Sequence, residues 1–181
     1  MSALLIRYFK TRYGELLIGS FEDELCLCDW RYRRMRATVD ARIQRGLRAG
    51  YEEGTSPVTE ATMDQLKDYF SGERKVFDLP LRLVGTDFQQ RVRKSLVAVP
   101  FGTTASYASL TAAVAAPTAI RAVASANGAN TISIIVPCHR IIGSSGDLVG
   151  YAGGLRTKKE LLELEGVFRE DPDLFSIMSL S

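Results

Sequence analysis

The apolar positions of the first thirty residues fall into three short runs, at 4–9, 16–20 and 25–30, separated by Tyr13-Gly14 and Glu22-Asp23. Runs of this length between turn residues predict a three-stranded antiparallel meander. A helical period follows at 59–71. There Met63, Leu66, Tyr69 and Phe70 share one face, Thr59, Ala61 and Thr62 precede them, and Gly72 ends the pattern. Residues 77–81, Phe-Asp-Leu-Pro-Leu, read as extended because proline restricts its predecessor. Gly85-Thr86 then marks a boundary, dividing the chain into 1–84 and 85–181. Beyond it the apolar spacing turns helical at 88, 92 and 96, until Pro100-Phe-Gly102 breaks it. Ser106 is placed to cap a short helix over 107–114, Ala115-Ala116-Pro117 to turn the chain, and Thr118 to cap a helix over 119–126 that Gly128 ends. Helix, tight turn, helix outlines a helix-turn-helix. In its second helix Ala119, Ala122, Ala124, Ser125 and Ala126 leave a smooth surface with one long side chain, Arg121. Such a surface suits close approach to DNA and suits a tightly packed core equally well.

Composition narrows the class. A chain of 181 residues, 46% of them apolar, fits one ordinary domain or two small ones. No stretch is long and apolar enough to span a membrane, and the run over 1–7 lacks the ordered regions of a signal peptide. Cys26, Cys28 and Cys138 are an odd and sparse set, which predicts a reducing cytoplasm rather than a disulfide framework. Cys26 and Cys28 are one residue apart, so a regular strand puts both on one face, in the core. The net charge of +2 hides a polarised distribution. Residues 31–48 hold seven arginines against one acid, Asp40, and residues 86–156 hold six bases against two acids. A cationic middle suits a polyanion partner, whereas the arginines of 31–48 taken alone read as a solvated, partly mobile face.

One apolar run carries the candidate chemistry. Residues 132–142 read Ile-Ser-Ile-Ile-Val-Pro-Cys-His-Arg-Ile-Ile, and His139 is the single histidine of the chain. The thiolate is the nucleophilic form of cysteine, and a neighbouring base or cation is needed to produce it at neutral pH. His139 and Arg140 are candidates for that help. An inert core cysteine beside an unrelated histidine fits these eleven residues as well.

Other segments bear on that choice. Gly85-Thr-Asp-Phe-Gln89, Pro100-Phe-Gly-Thr-Thr-Ala-Ser-Tyr107, Ala119-Ile-Arg-Ala-Val123, Asn130, Pro137-Cys-His-Arg140, Gly150-Tyr-Ala-Gly-Gly154 and Leu161-Leu-Glu-Leu-Glu-Gly166 stand in this order. Together they resemble the motifs of the O6-alkylguanine-DNA alkyltransferases, also called methylated-DNA–protein-cysteine methyltransferases. Gln65-Leu-x-x-Tyr-Phe-x-Gly72 and residues 77–81 extend the resemblance toward the bacterial members. The resemblance implies an α/β protein: a ribonuclease-H-like N-terminal domain, then a mainly helical, winged-helix-like domain with a helix-turn-helix. It implies direct-reversal repair, in which an alkyl group passes irreversibly from O6 of guanine in double-stranded DNA to Cys138. O4-alkylthymine is a second substrate to consider. His139 matches the base that deprotonates Cys138 through a water, and Glu165 the acid that orients the imidazole, a nucleophile–base–orienter arrangement. Tyr107 matches the donor to the departing guanine. Arg121 matches the finger that fills the gap left by the extruded base, with Thr118, Ala122 and Ser125 beside it as DNA contacts. Tyr151, Val136 and Ala152 match the base pocket, and Asn130 the asparagine that joins the recognition helix to the active-site segment.

The resemblance implies a monomer, with cooperative binding along DNA left open, and no cofactor and no membrane. The metal site of some relatives has no histidine left to build it. Ala152 stands where some members carry serine, Arg93 where many carry tryptophan, and Leu164 where histidine is common. On an extended strand Cys138 and His139 point apart, so a water bridge or a bend at Pro137 is expected. Two alternatives are a non-reactive alkyltransferase-like binder, whose members lack the cysteine, and a helix-turn-helix regulator with Cys138 as a sensor thiol.

Overall fold

A computed structural model describes residues 2–114 and 118–168. The meander forms as the apolar runs predict: β1 (Leu4–Thr11), β2 (Gly14–Phe21) and β3 (Glu24–Trp30), all antiparallel. Helix α1 (Arg36–Leu47) crosses the sheet and returns through β4 (Tyr51–Glu53), which pairs parallel to β1, for a strand order β3-β2-β1-β4. Helix α2 (Pro57–Phe70) begins two residues before the predicted start. Its signal was Ser56-Pro57: Ser56 Oγ accepts from the Thr59 amide at 3.2 Å, Thr59 Oγ1 accepts from the Ser56 amide at 2.9 Å, and Pro57 takes the first turn. Thr86 and Gln89 form a second reciprocal cap, which starts α3 (Asp87–Val97). Caps of this kind contribute about 1 kcal/mol each.

Strand β3 is irregular. Leu27 pairs with Gly19 but Leu25 pairs with Ser20, so Cys26 bulges from the ladder. The bulge overturns the expectation that Cys26 and Cys28 share a face. Both are fully buried, but Cys26 packs with Leu4, Val39 and Ile43 under α1, and Cys28 packs with Leu66 and Ile132 on the other side. That second cluster joins the halves of the chain, taking Leu16 and Ile18 from the sheet, Val92 and Leu96 from α3, and Leu161 from α6 (Leu155–Leu164).

The C-terminal half is helical, with α4 (Tyr107–Ala113) capped by Ser106 as expected, and α5 (Ile120–Gly128). Thr118 does not cap α5: the N-cap is Ala119, with no side-chain cap bond. The expected turn at 115–117 lies outside the described residues. Strands β5 (Ala105–Ser106) and β6 (Ile141–Ile142) form a small parallel pair. The free edge of β3 receives two incoming segments. Leu25 bridges Leu81, and Cys28 bridges Ile132, with the Cys28 amide on the Thr131 carbonyl at 2.9 Å and the Ser133 amide on the Cys28 carbonyl at 2.6 Å. Covering an exposed edge satisfies its backbone groups, and here it fixes residues 131–133, five residues upstream of Cys138, against the N-terminal sheet.

Arg34, Arg45 and Arg48 are exposed, as a solvated face requires, but the other arginines of residues 31–48 are half-buried and hydrogen-bonded. Arg33 and Arg36 reach Oδ2 of Asp29, which is fully buried, at 3.0 and 2.9 Å. Arg33 also donates to the carbonyls of Gly128 (3.0 Å) and Asn130 (3.2 Å), and Arg42 and Arg93 converge on the Ala129 carbonyl (3.3 and 2.9 Å). Three guanidiniums thus satisfy carbonyls that the end of α5 leaves open, where positive charge also complements the helix dipole. Arg93 is fully buried in this role.

Candidate active site

Residues 132–142 are not an extended strand. After the bridge at Ile132 the chain turns, Ile134 takes φ 72°, and Cys138–Arg140 forms one 3-10 turn entered through Pro137 (φ −81°, ψ 62°). Positive φ in a buried β-branched residue is strained. Asn130 holds the turn in place: its Nδ2 lies 2.9 Å from the Val136 carbonyl and 3.3 Å from that of Ile132, and its Oδ1 accepts the Ile132 amide at 3.1 Å. The same Nδ2 stands 3.2 Å from Cys138 Sγ. Asn130 therefore shapes the segment and also touches the sulfur. The bend at Pro137 is the expected one.

Cys138 is 4% exposed and lies on the wall of a cleft of about 280 Å³ that it shares with Tyr107, Asn127, Asn130, Tyr151 and Ala152. Five of these six are residues singled out from the sequence. Val136 is not among them: its carbonyl accepts from Asn130 and from the Cys138 amide, and its amide donates to Ile132. Burial pushes the Cys138 thiol above its usual value, and the Asn130 N–H, then Lys158 and Arg33, pull it back. Lys158 is itself fully buried, with Nζ on the carbonyls of Ile141 (2.6 Å), Val149 (3.1 Å) and Gly150 (3.2 Å). Burial lowers it to about 8, and Cys138 works against that shift.

Behind the cysteine, His139 Nε2 lies 2.7 Å from Glu165 Oε1, with both side chains fully buried. Burial lowers the His139 pKa, and the Glu165 contact opposes this only in part, so the imidazole is neutral and able to accept a proton. Its Nδ1 is buried without a hydrogen-bond partner among the described residues. Burial pushes the Glu165 carboxyl up, yet the bonds from His139 and Arg140 outweigh it and hold the carboxyl at about 2. Arg140 does not face the sulfur. It clamps Glu165 with Nε on Oε2 and Nη2 on Oε1, both at 2.9 Å, and donates to the Val99 carbonyl at 2.7 Å. Tyr69 Oη donates to Glu165 Oε1 at 2.7 Å, and the amide of Gly102 reaches Oε2 at 3.2 Å. Gly102 has φ 75°, and a Cβ there would stand 3.1 Å from the Glu165 carbonyl, so the approach requires glycine.

The other wall of the cleft is aromatic. Tyr107 Oη donates to the Val149 carbonyl at 3.1 Å. Tyr151 Oη accepts from Trp30 Nε1 at 3.0 Å, and its ring stands edge-on to Trp30 and to His139. A Cβ on Gly153 would fall 2.7 Å from the indole nitrogen, so the 150–154 turn sits directly on Trp30. On α5, Arg121, Ala122 and Ser125 are exposed, as is Thr118 ahead of it, on the face opposite buried Val123, Ala126 and Asn127. The structure thus pairs His139 with Glu165, lines the cleft of Cys138 with Tyr107, Tyr151 and Ala152, and sets Arg121 on a separate outward stripe. Sequence reasoning missed the clamp from Arg140, the carbonyl cage of Lys158, and the contacts of Tyr69, Trp30 and Asn127. One signal was available, since a charge inside an apolar run, as at Arg140, must find a buried partner.

A family model described as 6-O-methylguanine DNA methyltransferase, DNA binding domain, matches residues 87–167. The chain is 57% identical over 103 residues to the methylated-DNA–protein-cysteine methyltransferase of Mycobacterium bovis, a match covering 57% of this chain and 62% of that protein. It is 40% identical over 162 residues to the constitutive methylated-DNA–protein-cysteine methyltransferase of Bacillus subtilis, covering 87% of this chain and 93% of the relative. The crystal structure of Mycobacterium tuberculosis OGT in complex with DNA superposes with a TM-score of 0.77 at 39% identity, covering 94% of this chain and 97% of that one.

Proposed function

We propose, because the chain belongs to the methylated-DNA–protein-cysteine methyltransferase family, that it repairs duplex DNA by taking the alkyl group of an O6-alkylguanine onto Cys138. The observation that carries this reading is the buried His139–Glu165 pair, 2.7 Å apart, next to a cysteine on the wall of a cleft of about 280 Å³. The reacting atom lies inside the duplex, so the nucleotide is turned out, at a cost on the order of a few kcal/mol. His139 Nδ1 takes the thiol proton through a water, and the imidazolium that forms is stabilised by Glu165, which stays ionised throughout. The Sγ–C bond forms as the C–O6 bond breaks. The electron pair leaves with the guanine, and donation from Tyr107 to the ring offsets its charge in a dry site. The thioether product has no easy leaving group, so each molecule reacts once.

The neutral ground state of Cys138 and His139 suits a site that ionises its sulfur only when substrate is seated. Division at 84/85 gives the C-terminal part all the reacting groups, while the N-terminal part braces them through Asp29, Trp30 and Arg33. The DNA-facing surface is the stripe of Thr118, Arg121, Ala122 and Ser125, with Arg121 filling the space of the extruded base. Among the described residues no helix is long and apolar enough to cross a membrane.

Mass spectrometry of the Cys138 peptide, after mixing with a duplex bearing O6-methylguanine, is expected to show a methyl in place of a hydrogen. Binding with no mass gain would instead indicate a non-reactive binder. Arg121→Ala is expected to lower duplex affinity and slow transfer without changing the melting temperature, because the side chain is exposed. A wild-type transfer rate in that variant would remove the finger from the mechanism. In both proteins affinity falls as salt rises, since phosphate contacts release counterions.

A further inference from the structure

We infer that Arg34, from the N-terminal half of the chain, holds a backbone phosphate of the extruded nucleotide at the mouth of the Cys138 cleft; this rests on the alkyl-transfer reading above. The cleft draws its lining from both halves: Ala124 and Gly128 come from α5, and Arg33 and Arg34 from the turn between β3 and α1. Among the described residues no carboxylate lines it. The Arg33 guanidinium is engaged by Asp29 and by the carbonyls of Gly128 and Asn130. Arg31 is engaged by Glu15, and Arg36 by Asp29 and Asp40. Arg34 is exposed, and its guanidinium has no hydrogen-bond or ion-pair partner among the described residues. It is thus the cation of the cleft wall that is left open.

The turn that carries Arg34 is fixed on both sides. Arg33 and Arg36 both bind Oδ2 of buried Asp29, the Arg33 amide donates to the Trp30 carbonyl at 3.2 Å, and Met35 takes φ 62° as the cap of α1. A free guanidinium on a backbone already ordered gives up little entropy on binding an anion. Arg34 also lines a neighbouring groove of about 340 Å³ with Tyr13, Tyr32 and Gly153, and groove and cleft share Tyr151 and Ala152. Being exposed where the two meet, Arg34 belongs to the opening of the cleft and not to its floor. The opening is where charge has to be met. A nucleotide turned into the cleft brings a neutral base to Cys138, but its sugar stays joined to the strand through phosphates, each carrying a negative charge. Those phosphates remain at the mouth. The planar fork of a guanidinium there matches two oxygens of one phosphate. The contact forms only with the nucleotide extruded, so it shifts the flipping equilibrium toward the reactive arrangement.

The test measures the second-order rate of transfer to Cys138 from a duplex bearing O6-methylguanine as KCl is raised, beside equilibrium affinity for the same duplex undamaged. The proteins are wild type, Arg34→Ala, Arg34→Lys and Arg45→Ala. Arg45 is an exposed arginine of α1 that does not line the cleft, so its variant controls for the loss of one charge. Arg34→Ala is expected to transfer about tenfold more slowly at low salt, the worth of one charge-assisted contact. The slope of log rate against log salt is expected to be shallower by about 0.9, the share of one phosphate. Affinity of this variant for the undamaged duplex stays at the wild-type value. Arg34→Lys keeps the charge and with it the slope, and Arg45→Ala matches wild type in both measurements. A wild-type rate and slope in Arg34→Ala overturn the inference, as does a lysine variant with the shallow slope of alanine. So does an equal loss of affinity for the undamaged duplex, which would put Arg34 on the unopened helix, or an equal effect of Arg45→Ala, which would reduce it to overall charge. Failure of wild type to acquire methyl from the lesion overturns the transfer reading itself, a separate outcome.

Discussion

Cys138→Ser yields a protein that still binds duplex DNA and transfers nothing above background. The hydroxyl occupies nearly the same space, so Asn130 retains a partner and the turn at 132–136 keeps its shape. What is lost is an ionisable nucleophile: the hydroxyl stays protonated in a buried site whose base, His139, is too weak to remove its proton. The exposed stripe on α5 proposed to meet DNA lies on another face, so affinity is retained. Single-turnover transfer measured beside duplex affinity checks both halves. Loss of affinity together with transfer would mean that the cysteine holds the fold, and residual transfer would mean that another group accepts the alkyl.

The second large effect is expected at Arg140. Arg140→Met keeps the length of the side chain and removes both bonds to Glu165, leaving a carboxylate in the interior with His139, Tyr69 and the Gly102 amide as its remaining donors. Removing one partner of a buried ion pair destabilises by about 3–5 kcal/mol. A loss in denaturant midpoint corresponding to under 1 kcal/mol would show that the clamp is not structural. The acid limb distinguishes this from a general packing defect. Glu165 is held at about 2 against an ordinary 4.5, so its stabilisation is complete above pH 4.5 and is lost as pH falls through 2. His139 acts in the same direction from higher pH, because its folded value lies below 6.5 and the unfolded chain takes the proton first. Without Arg140 the carboxyl is less depressed, and stability between pH 4.5 and 2 falls less steeply. An acid limb parallel to wild type would place the depression of Glu165 elsewhere.

The difference between what was legible and what was not follows the range of the interactions. The meander, α2 and α3 were written in local period and turn residues, and the chemistry lay in a short run where Cys138 and His139 are neighbours. Glu165 joined them through the resemblance of its motif, 26 residues away. The misreadings arose where a long-range partner overrode a local pattern. Seven arginines in 31–48 have the composition of a solvated face, yet Asp29, alone among apolar neighbours on β3, draws Arg33 and Arg36 inward. Alternation assigned Cys26 and Cys28 to one face, and a single bulged residue undid it. The apolar run 132–142 has the composition of a buried strand, but Asn130 supplies the bonds that let it turn instead. Within the run Pro137 announces the bend before Cys138, but nothing announces the turn that precedes it.

The chain holds one tryptophan, and it lies beneath the wall of the reactive cleft. Seating a purine against Tyr151 alters the polarity at the edge of that indole, so the intrinsic emission of the protein changes with occupancy. The change reverses when the purine leaves, so a label-free optical signal reports occupancy of the cleft.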